Sequence, residues 1–285
     1  MSHKEEGWDI VVKQKSSSFN LNIREIWGYK DLILLLVKRD ITSIYKQTIL
    51  GPLWMFVQPV FTTAIYTFTF SYSAKLSTDG IPPVLFYLIG QVFWTYFADC
   101  LNKTANTFVS NASVFGKVYF PRLVMPISVV ISNLLKLGIQ LMLLIAVYLF
   151  VILILKQDIT VQWKYILLLP FLVVFMGVFG LGLGILFSSY TTKYRDFTFL
   201  LGFAVQLLMF GSCVVFPVTM YSAKIQSFLM FNPVVAYLEA IKFVLTGHGH
   251  ISLMYILVDT IAVAGLLFMA MLKFNKTEKS FMDTV

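Results

Sequence analysis

Residues 52–73 carry no charged side chain, and neither do residues 165–192 or 197–223. A helix needs about 20 apolar residues to cross about 30 Å of hydrocarbon. Three further runs are interrupted by a single charge each: Asp99 within 84–102, Lys136 within 123–155 and Asp259 within 251–272. In lipid a spanning backbone must satisfy its own hydrogen bonds, so such runs read as helices. Six spans are expected. Residues 225–238 are also apolar but too short to cross, and Asn232-Pro233 breaks them. They are expected to form one or two short re-entrant or interfacial helices.

Composition agrees: 58% of residues are hydrophobic and only 13% charged, with a mean hydropathy of +0.81. Soluble domains carry about 25% charged residues, and a chain with half of that cannot cover its surface in water. The two cysteines, Cys100 and Cys213, are too few for a disulfide scaffold. The net charge of +8 does not point to nucleic acid, because the basic residues flank apolar runs instead of forming one patch. With both termini inside, 16 of the 22 basic residues fall in inner segments and five in outer ones, with Lys136 inside a span. This bias predicts cytoplasmic termini. The first thirty residues are polar and lack the apolar stretch of a signal peptide.

Residues 30–47 place Ile33, Val37, Ile41 and Ile44 at helical spacing, with Lys38, Arg39, Asp40 and Lys46 elsewhere. This pattern predicts an amphipathic helix lying in the membrane interface. It is either a plain anchor or a gate beside which an anionic headgroup enters, with Arg39 and Lys46 as phosphate partners. Residues 103–122 form an inner loop in which Lys117 and Arg122 bracket Val118, Tyr119 and Phe120, and Pro121 and Pro126 punctuate the approach to the third span. A second inner loop is very short and contains Tyr194, Arg195 and Asp196.

Three strings give these segments a family likeness: TILGPLWMFVQP at the first span, FGKVYFPRLVMP before the third and KYRDF before the fifth. From about residue 25 onward the chain resembles the permease subunit of ABC-2-type polysaccharide exporters, which move O-antigen, capsule-like or teichoic-acid chains. The resemblance implies an all-α membrane domain of six helices over residues 48–272. A cytoplasmic segment (1–29), an interface gate helix (30–47) and a cytoplasmic tail (273–285) would flank it, and gate helices would lie on the outer side between the fifth and sixth spans. It implies a homodimer in the bacterial inner membrane, bound to two copies of a separate ATPase that holds ATP and magnesium. The substrate would be a polyprenyl-diphosphate-linked polysaccharide passed through a channel between the subunits. By the same resemblance, Ser113, Phe115, Lys117, Tyr119, Phe120 and Arg122, with Tyr194, Arg195 and Asp196, would couple to the ATPase. Arg39, Lys46 and Lys136 would meet the lipid diphosphate.

Residue chemistry is consistent with a transporter that does not itself hydrolyse nucleotide. Gly116-Lys117 is followed by Val118, and no glycine stands five residues before it, so there is no phosphate loop. No catalytic residues and no metal site are predicted; His248 and His250 flank Gly249 but lack a third ligand. On the first span Thr62, Tyr66, Thr69, Phe70 and Ser73 share a face suited to sugars, whereas Phe61, Ile65, Phe68 and Tyr72 suit lipid. Gly177, Gly180, Gly182 and Gly184 read as helix-packing positions. Charges inside a membrane are functional suspects. Asp99 is expected to pair with Lys103, Lys136 either to snorkel or to face a cavity, and Asp259 to be satisfied by Lys242 or water. Two other classes compete with the exporter. An ion-coupled transporter would need inverted repeats and mid-membrane acids. A membrane enzyme acting on polyprenyl-linked sugars would need clustered carboxylates or histidines.

Overall fold

The computed structural model describes residues 23–46, 51–115, 120–157, 159–194, 196–249 and 251–277. Every regular element among them is helical. A short α1 (Ile23–Gly28) leads into α2 (Lys30–Tyr45), the amphipathic helix. The first apolar run forms α3 (Trp54–Tyr66), which continues without a break into a π-helical stretch, Thr67–Ser73. Then follow α4 (Pro83–Ala105), two single turns α5 (Thr107–Ser110) and α6 (Ala112–Phe115), and α7 (Val124–Leu153). The chain ends with α8 (Leu168–Lys193), α9 (Asp196–Gly211), α10 (Ala223–Leu229), α11 (Pro233–Thr246) and α12 (Leu253–Thr277).

Four of these helices, α4, α7, α8 and α12, are long and apolar enough to cross a membrane. The other two expected spans take different forms. The first is the α3–π run. The fifth, α9, has 16 residues and stops at Gly211, short of the expected 223. The chain turns there, with Cys213 at a φ of 55°. The segment expected to be re-entrant is the pair α10–α11, bent by 102°. Local chemistry explains the bend. The Asn232 side chain accepts a hydrogen bond from the Val234 N–H at 3.1 Å, and Pro233 occupies the first helical position, where its missing N–H is harmless. At the other end Gly247 closes α11 in the left-handed region.

The bundle is built around α4. Leu88, Ile89, Val92, Phe93, Phe97 and Cys100 are all buried, although they point to several sides of the helix. In lipid there is no hydrophobic gain from bringing two apolar helices together, so association rests on close packing. The α8 glycines supply it. A Cβ on Gly180 would come within 2.8 Å of the Cys100 Cβ, and one on Gly184 within 2.5 Å of the Thr104 Cβ. A Cβ on Gly177 would run into the Tyr96 hydroxyl. Gly182 faces the other way and meets Leu266 of α12. The Thr191 hydroxyl also bonds the Ala105 carbonyl at 2.5 Å, tying the same ends of the two helices.

At that end, called proximal here, α2 crosses the start of α7. Ile33, Leu36 and Val37 are buried against Phe120, Val124 and Met125, while Leu34 and Leu35 remain exposed. Thus α2 is apolar on two sides and charged on a third.

A leucine at Gly180 or Gly184 should force α8 off α4 and cost about 1–3 kcal/mol, the usual range for overpacking. The thermal midpoint of the detergent-solubilised protein should fall by several degrees. Alanine at Gly138 or Gly202, where no neighbouring atom lies within 4 Å of the new Cβ, should leave it unchanged or raise it.

Candidate functional site

Between α2, the proximal half of α4, α5 and α7 lies a polar cavity of about 520 Å³. Its walls include Arg39, Asp40, Lys103, Asn111, Asn133 and Lys136. Each helix contributes by register. Arg39 and Asp40 sit on the side of α2 left free by Ile33, Leu36 and Val37. Asn102 and Lys103 come from the last turn of α4 and Asn106 from the residue that ends it, and Ser132, Asn133 and Lys136 come from one face of α7.

The charges form two linked groups. Arg39 donates from Nε and Nη2 to Asp40 Oδ1 at 3.1 and 2.8 Å, and from Nη1 to Asn111 Oδ1 at 3.2 Å. The Ser132 hydroxyl approaches Asp40 Oδ2 at 3.4 Å. Deeper in, Lys136 Nζ lies 2.7 Å from Asp99 Oδ2, and Lys103 Nζ lies 3.5 Å from the same oxygen. Lys103 also donates to Asn133 Oδ1 at 2.9 Å. Three cations thus share two carboxylates, leaving an excess of one positive charge in a recess also lined by hydroxyl and amide side chains such as Ser43, Asn106 and Ser110. Such a recess suits an anion with several oxygens.

Among the residues suggested by sequence, Arg39 and Lys136 meet in this cavity. Lys136 does not snorkel alone but is paired across helices with Asp99. Lys46 stands exposed at the end of α2, outside the lining. Ser113 is exposed on α6 and Phe115 half-buried. Phe120 does not present itself outward: it is buried under α2 and stacks on Phe115 at 5.4 Å. The reason is the amphipathic helix, whose Ile33, Leu36 and Val37 need an apolar floor at this point. Arg122 is half-buried, while Tyr194 and Asp196 are exposed. Lys117, Tyr119, Arg195 and His250 lie outside the described residues.

On α3 Thr62 is half-buried, and on the π-helical stretch Thr69 and Ser73 are exposed. Tyr66 and Phe70 turn into the chain and form an aromatic cluster with Tyr87 of α4 and Phe216. Phe61, Ile65, Phe68 and Tyr72 form the exposed face. Tyr87 and Phe216 carried no sequence signal, because rings are abundant in every span.

At the opposite, distal end a second ion pair is wholly buried. Lys242 Nζ lies 2.9 Å from Glu239 Oε1, bonds the Cys213 carbonyl at 3.1 Å and sits 4.0 Å from the centre of the Phe86 ring. Lys242 is therefore not an outer-loop cation and does not serve Asp259, as expected above; Glu239, three residues away on the same helix, takes it first. Asp259 is buried, and its Oδ2 has no hydrogen-bond partner. Among the described residues no three of His, Cys, Asp and Glu are grouped to hold a metal ion.

Residues 31–246 match the family model described as ABC-2 type transporter. An O-antigen export system permease protein of Klebsiella pneumoniae is 23% identical over 265 residues, covering 91% of this chain and 99% of its own length. The protein of the same name from Myxococcus xanthus is 25% identical over 232 residues, 79% of this chain and 84% of its own. A polysialic acid transport protein of Escherichia coli is 24% identical over 206 residues, 70% and 76% respectively.

Replacing Glu239 with Gln should strand the buried Lys242 ammonium, a change that typically costs about 3–5 kcal/mol, and lower the thermal midpoint sharply. The double change Glu239→Gln with Lys242→Met removes both charges and should recover most of that loss in the same melt.

Proposed function

Since the chain belongs to the ABC-2 type transporter family, we propose that it is the permease subunit of an ATP-driven exporter that moves a polyprenyl-diphosphate-linked polysaccharide outward across the bacterial inner membrane. The observation that carries the substrate class is the cavity beside α2. Arg39, Lys103 and Lys136 converge there next to a helix apolar on two sides, so a diphosphate can be held while its prenyl tail stays in lipid. The relatives named for O-antigen export and polysialic acid transport support a polysaccharide cargo.

In this reading two permease chains pair, and each receives one ATPase subunit at the proximal end, which the basic bias places in the cytoplasm. The docking face comprises the exposed side of α6 with Ser113, the neighbouring Lys117, Tyr119 and Arg122, and the short turn with Tyr194, Arg195 and Asp196. Phe115 and Phe120 act from inside: they join this segment to α2 in one apolar cluster, so displacement of the loop is transmitted to the helix that flanks the headgroup. ATP and magnesium belong to the partner, since this chain has no phosphate loop. The sugar path follows Thr62 of α3 and Thr69 and Ser73 of the π-helical stretch, with the Tyr66 and Phe70 rings beside them.

The test is co-purification of the chain from its native membrane with any bound ATPase, followed by reconstitution of the two. A stoichiometric complex whose ATP hydrolysis is stimulated by polyprenyl-diphosphate-linked glycan is expected. Changing Arg39 and Lys136 together to Gln should abolish most of that stimulation while the complex still assembles; equal stimulation in the variant would overturn the headgroup assignment. If no nucleotide-hydrolysing partner is recovered, the ion-coupled and enzymatic alternatives return.

A further inference from the structure

Asp99 stands behind the cations of the cavity, on α4, and reaches the same two ammonium groups that would hold an anionic ligand. Its Oδ2 lies 2.7 Å from Lys136 Nζ on α7 and 3.5 Å from Lys103 Nζ one turn further along α4. The carboxylate and Lys136 are both mostly covered, with side chains 26% and 20% accessible, whereas Lys103 is about half exposed. The two lysines line the cavity. In the arrangement seen, the anion position facing Lys136 is already taken by a group belonging to the protein.

Resting on the headgroup reading above, we infer that Asp99 is an internal stand-in for the diphosphate: it neutralises Lys136 and Lys103 when the cavity is empty and competes with the bound headgroup for them, which sets how readily the headgroup leaves. Three physical points carry this. First, two ammonium groups in a half-dry recess need a counter-ion, and an intramembrane lysine without one is costly. Second, a diphosphate at the same ammonium groups must either displace the Asp99 carboxylate or sit beside it, and like charges a few Å apart in a protein recess repel one another far more than they would in water. Third, the competition has a use in a transporter. A site that binds its cargo without opposition retains it, and only differences between bound and transit states help turnover. Lys103 has a second partner, Asn133 Oδ1 at 2.9 Å, so it can leave Asp99 without being stranded. Lys136 is the group that exchanges.

The prediction runs against the usual sign for breaking an ion pair. Asp99→Asn should bind the diphosphate more tightly, by about tenfold for roughly 1.4 kcal/mol of relieved repulsion, and should slow turnover at saturating lipid. A structural lesion would weaken binding instead. Asp99→Glu, which keeps the charge, should stay within about twofold of the parent. If Asp99→Asn is not recovered from membranes, Asp99→Ser, which leaves room for water beside Lys136, serves in its place.

The measurement is an equilibrium titration of the full-length permease–ATPase complex in phosphatidylcholine nanodiscs with a short-chain polyprenyl diphosphate. Parallel arms use inorganic pyrophosphate and nanodiscs doped with phosphatidylglycerol, and ATPase turnover is read on the same samples. Tighter binding of the prenyl diphosphate, with or without a matching gain for pyrophosphate, and slower turnover are expected. Equal or weaker binding by the variant where the parent binds, or a gain confined to phosphatidylglycerol, overturns the stand-in role. Failure of the parent itself to bind any diphosphate overturns the headgroup reading, and the stand-in with it, and is visible without any variant.

Discussion

The contact on which the other features depend is the close approach of α8 to α4. Two apolar helices gain nothing from hydrophobic burial when the alternative solvent is lipid, so they stay together only where their surfaces fit. Gly177, Gly180 and Gly184 remove the side chains that would hold α8 away, and the Cys100 and Thr104 Cβ atoms fill the space. With α8 seated on one side and α7 on another, α4 becomes a buried pillar. Its proximal turns then carry Asp99, Asn102, Lys103 and Asn106 at fixed positions, and a charged cavity can exist at membrane depth without the walls moving apart.

The two ion-paired regions are built on opposite logics. Glu239, Lys242, the Cys213 carbonyl and the Phe86 ring make a closed set in which every charge is matched and water is excluded. Such a pair adds little net stability but makes any single loss costly, which suits a bent helix pair that must keep one geometry. The proximal set is open and unbalanced, with three cations on two carboxylates around a cavity large enough for a diphosphate. An excess charge that reaches solvent or headgroups is where an anionic ligand gains most, because its cost of dehydration is partly met already.

Much of this architecture was legible in the sequence, and the exceptions have physical causes. Apolar runs with at most one charge located the long helices, since nothing but lipid or a deep core tolerates them. Asn232-Pro233 located the bend, because a cap and a residue without an N–H both belong to a helix start. The α8 glycines read as packing and were found packing. The misreadings came where a residue's partner is remote in sequence. From sequence Lys242 is expected to serve Asp259, but Glu239 on its own helix takes it, and the groups that shelter the pair, Cys213 and Phe86, lie 29 and 156 positions from Lys242. Phe120 is assigned to coupling by resemblance, and nothing within its own loop shows that α2 lies over it. The fifth span was read too long because residues 212–223 are apolar, yet they turn.

The same distinction separates what couples to what. Arg39 bonds Asn111, which immediately precedes α6, and the apolar side of α2 shares one cluster with Phe115 and Phe120 on either side of the same loop. A polar tie and an apolar floor therefore connect α2 to this loop, and the same floor, through Val124 and Met125, together with the Ser132–Asp40 contact, ties it to the proximal part of α7. A helix held by several contacts must move with them or break one. Under the export function proposed for this chain, the loop that meets the ATPase, the helix that flanks the headgroup cavity and the start of α7 are therefore mechanically coupled. The deeper pair, Asp99 with Lys136, joins α4 to α7 and not to α2. A movement of α2 would therefore also strain its packing on Val124 and Met125 of α7, whereas the α4 cation Lys103, bonded to Asn133, is not among its described contacts.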